Sequence, residues 1–225
     1  MRKTWGLLLL TGVLLLSACS QTHEQEVATK TNSTSESKQT AEETQAKEAK
    51  NDPFYRMPQV ADFDVKSSDI GNDRVLKGEQ MSAIFGVEGG KDISPELTWS
   101  GAPEGTKSFA VTMYDPDAPT GSGFWHWAVV NIPADVTSIP TSAGDEGGVK
   151  LPDGAIQLPN DARAARYIGA APPAGDGPHR YYIVVHALDV EDIGVKAEDT
   201  PAFLGFNMLS HTLGRAVIEA SAEVK

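Results

Sequence analysis

The chain has 225 residues, a formal net charge of −12 at neutral pH and an isoelectric point near 4.8. This acidity excludes proteins that bind nucleic acid or an anionic membrane through a broad basic surface, because both need clustered lysine and arginine. The single cysteine, Cys19, excludes an intramolecular disulfide. The length allows one or two domains.

The N-terminal end has the anatomy of a bacterial export signal. Arg2 and Lys3 precede an apolar run at residues 7–16, which is too short to span a membrane comfortably. The run ends in Leu-Ser-Ala-Cys at Cys19, which resembles a lipobox. This resemblance implies a lipoprotein signal peptide over residues 1–18, a diacylglyceryl group on Cys19, and a lipid-anchored protein at the cell membrane that faces away from the cytoplasm. An ordinary signal peptide, or an uncleaved anchor that contains a cysteine by chance, is the alternative.

Residues 19–52 differ in composition from everything that follows. They are rich in Thr, Ser, Gln, Glu, Lys and Ala, and Val27 is their only branched aliphatic residue. Such a segment cannot bury enough apolar surface to offset the entropy of ordering, so we predict a disordered tether. A helix over residues 40–50 is the alternative. The folded domain is predicted to span residues 53–225.

The folded domain has the pattern of a mostly β protein. Short alternating or apolar runs are bounded by Gly, Pro and Asp, which favours the buried strands of a sandwich. The predicted strands lie at residues 63–66, 97–99, 108–114, 125–132 and 181–190.

Two further segments have different patterns. Residues 140–177 are rich in Gly, Pro, Ala and Asp and predict a long connection. Residues 206–224 place Leu209, Leu213, Val217 and Ala220 at helical spacing, which predicts a C-terminal helix with one face packed on the sheet.

Two motifs at the ends of predicted strands carry polar groups. Asp115 and Asp117 flank a proline directly after one strand, and an ordinary Asp-Pro turn is the alternative to a functional role. His126 lies in the next strand, where alternation places it with Phe124, Ala128 and Val130 and places Trp125 and Trp127 on the other face. A core histidine with one hydrogen bond is the alternative for His126.

A third motif begins the last apolar strand. His179 and Tyr181 are two residues apart, so the imidazole and the phenol project to the same side. The small residues at positions 167–173 would let a ligand approach backbone N–H groups closely. Two imidazoles, a phenol and backbone amides together predict an anion site, and a nearby acid that orients an imidazole would make its affinity depend on protonation.

The three motifs, in this order and spacing, resemble the phosphatidylethanolamine-binding protein family and its bacterial branch of Raf-kinase-inhibitor-like proteins. The resemblance runs from residue 63 to residue 225 and implies a Greek-key β-sandwich with peripheral helices, including a C-terminal helix, and a pocket at one end of the larger sheet. Ala170 replaces the proline that bacterial members usually carry there, which predicts a less rigid pocket rim. The resemblance implies that the ligand-binding residues are Asp115, Asp117, Phe124, His126, Gly169, Ala171, Pro172, His179 and Tyr181.

We therefore expect a surface-anchored binding protein that takes the phosphate-like or carboxylate head group of a small ligand, without cofactor or metal. Its partners would be that anionic ligand and a membrane reached through the lipid anchor, and no nucleic acid. A protein-interaction module that inhibits a kinase or protease, and a hydrolase or isomerase that uses the histidines and Asp115, are the alternatives. His186 and His211 are expected to be structural.

Overall fold

The computed structural model describes residues 52–225; the predicted signal peptide, Cys19 and the predicted tether up to residue 51 lie outside the described residues. The described part contains one α-helix, a short 3-10 turn at Gly78–Gln80 and nine β-strands. In chain order the elements are β1 (Ala61–Asp62), β2 (Asp64–Lys66), β3 (Leu97–Ser100), β4 (Ser108–Asp115), β5 (Phe124–Pro133), β6 (Ser138–Ile139), β7 (Ile156–Gln157), β8 (His179–Leu188), α1 (Pro201–Met208) and β9 (Thr212–Ala222).

The strands form two sheets. The larger has the order β1-β9-β8-β4-β5-β7 and is antiparallel except for the β1–β9 pair, and the smaller has the order β2-β3-β6. β8 pairs with β4 although three strands separate them in the chain, so the chain crosses over as a Greek key requires. The predicted mostly β sandwich is confirmed.

The main core lies between the two sheets. Trp99 of the smaller sheet meets Phe109 of the larger one edge to face, with 5.3 Å between ring centroids. Val111 and Val129 belong to the same buried cluster, whereas their neighbours Ala110 and Ala128 belong to a second cluster on the other face. The larger sheet is therefore buried on both faces, which explains why its central strands are continuous apolar runs.

The second cluster is covered by α1. Leu204 and Met208 of this helix are buried in it, and Thr200 caps the helix by accepting a hydrogen bond from the Phe203 N–H at 3.2 Å. Pro201 follows the cap at a position where a helix needs no N–H. A helix near the C-terminus is thus present and packs on the sheet, as predicted.

The bounds predicted for that helix are wrong. The helix ends at Met208, and most of residues 206–224 forms the long strand β9. Burial in β9 alternates, with Gly214, Ala216, Ile218 and Ala220 buried and the residues between them more exposed. The same residues fit both a helical spacing and this period-2 pattern. They form a strand because they pair with β8 along nearly the whole length of β9.

A bulge in β5 also changes one predicted orientation. Met113 pairs with Trp127 and Tyr114 pairs with Trp125, so His126 is an extra residue in the ladder. Trp127 therefore lies in the core between the sheets, on the side where His126 contacts Tyr181, and not on the face of Trp125. Ala128 and Val130 lie on the opposite face from His126, contrary to simple alternation.

Candidate functional site

A cavity of about 220 Å³ lies at one end of the larger sheet, where β4 ends at Asp115, β5 begins at Phe124 and β8 begins at His179. β4 is the neighbour of both β5 and β8, and both pairs are antiparallel, so these three strand ends lie side by side. The residues that line the cavity are Phe85, Asp115, Ala118, Pro119, Thr120, Phe124, His126, Ala171, Pro173, His179 and Tyr181.

The structure brings most of the predicted site residues together in this cavity. Asp117, Gly169 and Pro172 do not line it, and Pro173 takes the place expected for Pro172. Six of the nine predicted residues do line it: Asp115, Phe124, His126, Ala171, His179 and Tyr181.

Asp115 and His179 form a buried pair at the base of the cavity. His179 Nδ1 donates to Asp115 Oδ2 at 2.9 Å, and the backbone N–H groups of Asp117 and Ala118 donate to Asp115 Oδ1 at 2.8 and 3.0 Å. The carboxylate therefore holds both the imidazole and the turn that follows β4. Burial by itself lowers the pKa of His179, but the hydrogen bond and charge of Asp115, followed by the hydrogen bond of Asp176 and the charge of Asp117, outweigh it and hold the pKa above its usual value.

His126 has a different electrostatic environment. Its Nδ1 donates to the Ile168 carbonyl oxygen at 2.9 Å, because a carbonyl can only accept. Burial lowers the pKa of His126 below its usual value, against the opposing effects of that carbonyl and of the Asp115 charge. The neutral ring therefore has its lone pair on Nε2, and this atom becomes a donor only when the ring is protonated.

Tyr181 lies beside His126 in the same cavity. Its ring lies edge to face with His126 at a centroid distance of 5.2 Å. Its hydroxyl is buried, makes no hydrogen bond of normal geometry within residues 52–225, and lies near the Asp115 carboxylate and the Ala171 amide. Burial, and then the charge of Asp115, raise the pKa of Tyr181, so the phenol keeps its proton and remains a donor. The backbone amide of Ala171 lies close enough to affect the same pKa in the opposite direction.

Asp117 does not line the cavity, and its carboxylate is bound by Arg180. Its carboxylate accepts two side-chain hydrogen bonds from Arg180, at 2.8 Å from Nε and 2.7 Å from Nη2, and a third from the Arg180 backbone N–H at 3.0 Å. The bidentate geometry fixes the turn after β4 against the first residues of β8. Asp117 is therefore placed to position Asp115 and His179, and its predicted contact with a ligand stays a prediction.

Gly169 is a packing residue behind the cavity. A side chain there would place its Cβ 2.3 Å from the backbone carbon of Met81 and 2.6 Å from the Gln80 carbonyl oxygen. The Gly169 N–H donates to the buried carboxylate of Asp92 at 2.8 Å. The amides of Tyr167, Ile168 and Ala170 also donate to other backbone carbonyls. Of the backbone N–H groups in residues 167–173 that were expected to bind a ligand, only that of Ala171 remains available.

Ala170 has a structural role that a proline could not fill. It pairs with Met81 in an isolated bridge, where its N–H donates to the Gln80 carbonyl at 3.1 Å and its carbonyl accepts from the Ser82 N–H at 2.9 Å. A proline would lose the first of these hydrogen bonds. Ala170 thus provides a hydrogen bond that a proline would lack, and the less rigid rim stays a prediction.

Sequence reasoning missed Phe85 and Asp92. Phe85 is 49% exposed and meets Phe124 edge to face, with 6.0 Å between ring centroids, at the mouth of the cavity. Asp92 is buried, and its Oδ2 accepts hydrogen bonds from the Ala83 and Ile84 N–H groups, which shapes the loop that carries Phe85. Neither residue lies in a periodic segment or a motif, so no local signal pointed to them.

The comparison with known proteins agrees with the resemblance in the motifs. The family described as phosphatidylethanolamine-binding protein matches residues 67–223. The chain is 50% identical over 167 residues to the UPF0098 protein YbcL of Escherichia coli, a match that covers 74% of this chain and 91% of YbcL. It is 53% identical over 154 residues to YbhB of the same organism, with 68% of this chain and 96% of YbhB covered.

A solved structure supports the fold in the same way. The crystal structure of Escherichia coli YbcL, described as a new member of the mammalian PEBP family, matches with a TM-score of 0.70 and 49% identity over 73% of this chain and 100% of that one. A more distant relative, LppC of Mycobacterium tuberculosis, is named as a candidate lipoprotein and is 35% identical over 121 residues, with 54% of this chain and 55% of LppC covered. The chain belongs to the phosphatidylethanolamine-binding protein family.

Proposed function

We propose that this protein is a lipid-anchored binding protein of the cell envelope whose cavity takes the phosphate-like or carboxylate head group of a small ligand. One observation carries the proposal: Tyr181, His126 and the Asp115–His179 pair line one cavity of about 220 Å³. Two imidazoles that can become cations, together with a phenol that keeps its proton, suit an anion better than a cation or a wholly apolar molecule.

The electrostatics predict that binding is coupled to protonation. The negative charge of Asp115 is balanced within the pair when His179 is protonated, so the pair itself does not repel an anion. His126 is then the group whose charge can change on binding, because burial keeps its pKa low in the free protein. A bound anion raises that pKa, so binding takes up a proton and grows stronger as the pH falls.

The cavity supports binding better than hydrolysis. Thr120 and Tyr181 are its hydroxyl-bearing residues, and the Thr120 hydroxyl donates to the Gly123 carbonyl. Among the described residues neither hydroxyl is hydrogen-bonded to His126 or His179, so the pairing of nucleophile and base that covalent catalysis requires is not formed.

The test of the cavity is titration calorimetry with phosphoethanolamine and with acetate at about pH 5.5 and about pH 8. We expect tighter binding at the lower pH, where imidazolium is the better partner for an anion. A His126→Ala, His179→Ala double variant should weaken binding by about tenfold or more, since a hydrogen bond to a charged group contributes about 1.5–3 kcal/mol.

His211→Ala is the matched control for that experiment. His211 also pairs with a carboxylate, Asp189, at 2.8 Å, but it lies away from the cavity and its side chain is 40% exposed. This variant should bind both anions as the wild type does. Unchanged binding in a folded double variant would contradict the anion-cavity proposal.

The lipid anchor is a separate part of the proposal and rests on Cys19 and its preceding residues. Within residues 52–225, no helical segment has the length and apolar character needed to cross a bilayer. We expect Cys19→Ala to move the protein from the membrane fraction into the soluble fraction, because the diacylglyceryl group would be absent. If the variant stays with the membrane after carbonate extraction, the anchor does not depend on Cys19.

A further inference from the structure

A second cavity, of about 250 Å³, lies on the opposite face of the larger sheet and plays no part in the proposed anion site. We name it the outer-face cavity. It is enclosed by β4, β5, β8, β9, α1 and the turn at residues 53–57. Its walls include Trp125, Val184, Met208 and Leu209, which are apolar. A cavity of about 150 Å³ holds benzene, so this one is large enough for a ring with a short chain attached.

Arg215 is the charged group of the outer-face cavity. Its Nη1 donates to the Pro58 carbonyl oxygen at 3.0 Å, and the guanidinium lies 5.8 Å from the centroid of the Phe54 ring. Its Nε is buried without a hydrogen-bond partner, and no carboxylate of residues 52–225 lies within ion-pair distance of it. A partly buried guanidinium normally has an anionic partner, because burial of an unpaired charge is costly.

His186 adds a second unpaired polar atom to the same wall. It is 6% exposed and lies opposite Arg215 in the β8–β9 register. Its Nε2 is 3.1 Å from the Thr112 hydroxyl oxygen, whereas its Nδ1 is buried without a partner among the described residues. When the Thr112 hydroxyl donates to Nε2, the neutral ring carries its hydrogen on Nδ1 and offers one more donor.

We propose that the outer-face cavity binds a small monocarboxylate with an apolar, ring-sized body, and that Arg215 provides the charge that recognises the carboxylate. The apolar body would pack against Trp125, Met208 and Leu209. His186 would complete the polar end of the site. An apolar wall with a few convergent donors is the usual composition of a small-molecule site, and charge complementarity selects an anion over a neutral molecule of the same shape.

The probe for this site is 3-phenylpropionate, with 3-phenylpropanamide as its neutral counterpart of the same size. We expect titration calorimetry on the full chain to show that the acid binds about tenfold more tightly than the amide, because only the acid forms a charge-assisted hydrogen bond. Equal affinities for the acid and the amide, or no binding of the acid, would overturn the proposal.

Two variants show which cavity the acid occupies. Gly205 lies in α1 and lines the outer-face cavity, and a Cβ built there meets no atom within 4 Å. Gly205→Leu should fill the cavity without weakening the helix, because leucine is a better helix former than glycine. We expect this variant to lose at least about tenfold in affinity for the acid, and the His126→Ala, His179→Ala variant to bind it as the wild type does. If instead Gly205→Leu binds normally and the histidine variant does not, the acid occupies the first cavity and the proposal is wrong.

Discussion

The Asp115–His179 pair allows the sharpest test of the site's electrostatics. The change is Asp115→Asn, which keeps the size of the side chain and an oxygen that can accept from the Asp117 and Ala118 amides. It removes the negative charge that faces His179 Nδ1 at 2.9 Å. Since the side chains of Asp115 and His179 are only 3% and 5% exposed, solvent screens this interaction weakly.

The expected loss follows from this burial. One hydrogen bond to a charged group contributes about 1.5–3 kcal/mol, and removal of one partner of a buried pair costs about 3–5 kcal/mol. His179 can lose its proton when Asp115 is replaced, so no unpaired charge is left buried, and the cost falls to the range of a single hydrogen bond to a charged group. We therefore expect the free energy of unfolding to fall by about 2–3 kcal/mol in urea denaturation.

The loss of stability in Asp115→Asn should depend on pH, and the raised pKa of His179 fixes the direction of that dependence. Because the folded-state pKa of His179 is raised, the stabilisation that its extra protonation provides is complete below the unfolded value of about 6.5 and is lost as the pH rises through the folded value. The difference in stability between wild type and Asp115→Asn should thus be larger near pH 6 than near pH 9. In a histidine NMR titration, the pKa of His179 should fall below its usual value in the variant, because burial then dominates.

Asp189→Asn is the matched control. It makes the same chemical change in the Asp189–His211 pair, whose side chains are 43% and 40% exposed. We expect a loss of at most about 1 kcal/mol, because water screens exposed pairs. Equal losses in the two variants, or an unchanged pKa of His179 in Asp115→Asn, would refute the argument from burial.

Two further predictions concern the backbone and the outer face. Ala170→Pro removes the hydrogen bond to the Gln80 carbonyl and should lower the free energy of unfolding by at least about 1 kcal/mol in urea denaturation; a gain in stability would show that the bridge to Met81 is unimportant. Burial lowers the pKa of His186 to about 3. Below about pH 6.5 the histidine is protonated in the unfolded state but stays neutral in the folded state, so the free energy of unfolding decreases as the pH falls. His186→Phe should therefore make stability less sensitive to pH between about 6 and 4, by up to about 1.4 kcal/mol per pH unit, and an unchanged slope would contradict the low pKa.

The β-rich class and most of the cavity follow from the amino-acid sequence alone. The interiors of β4, β5 and β8 are continuous apolar runs because the larger sheet is buried on both faces, so the sequence pattern is enough to locate these strands. Asp115, His126 and His179 lie at or near strand ends inside short motifs, and these motifs mark them as candidate residues. They are far apart in the chain, so their placement in one cavity came from the family resemblance and not from local spacing.

The remaining features were set by tertiary contacts, because each depends on segments that are distant in the chain. Residues 212–222 satisfy both a helical and an alternating pattern, and pairing with β8 made them a strand. The bulge at His126 places the Trp127 side chain in the core between the sheets. Simple alternation along the strand could not predict this orientation. Asp117 forms an ion pair with Arg180, and Gly169 packs against the backbone of Met81. Both residues therefore support the cavity without lining it. Arg215 becomes noticeable only when β9, α1 and the turn at residues 53–57 enclose it. Its burial, and the lack of a carboxylate partner among residues 52–225, are properties of the folded surface and not of its neighbours in sequence.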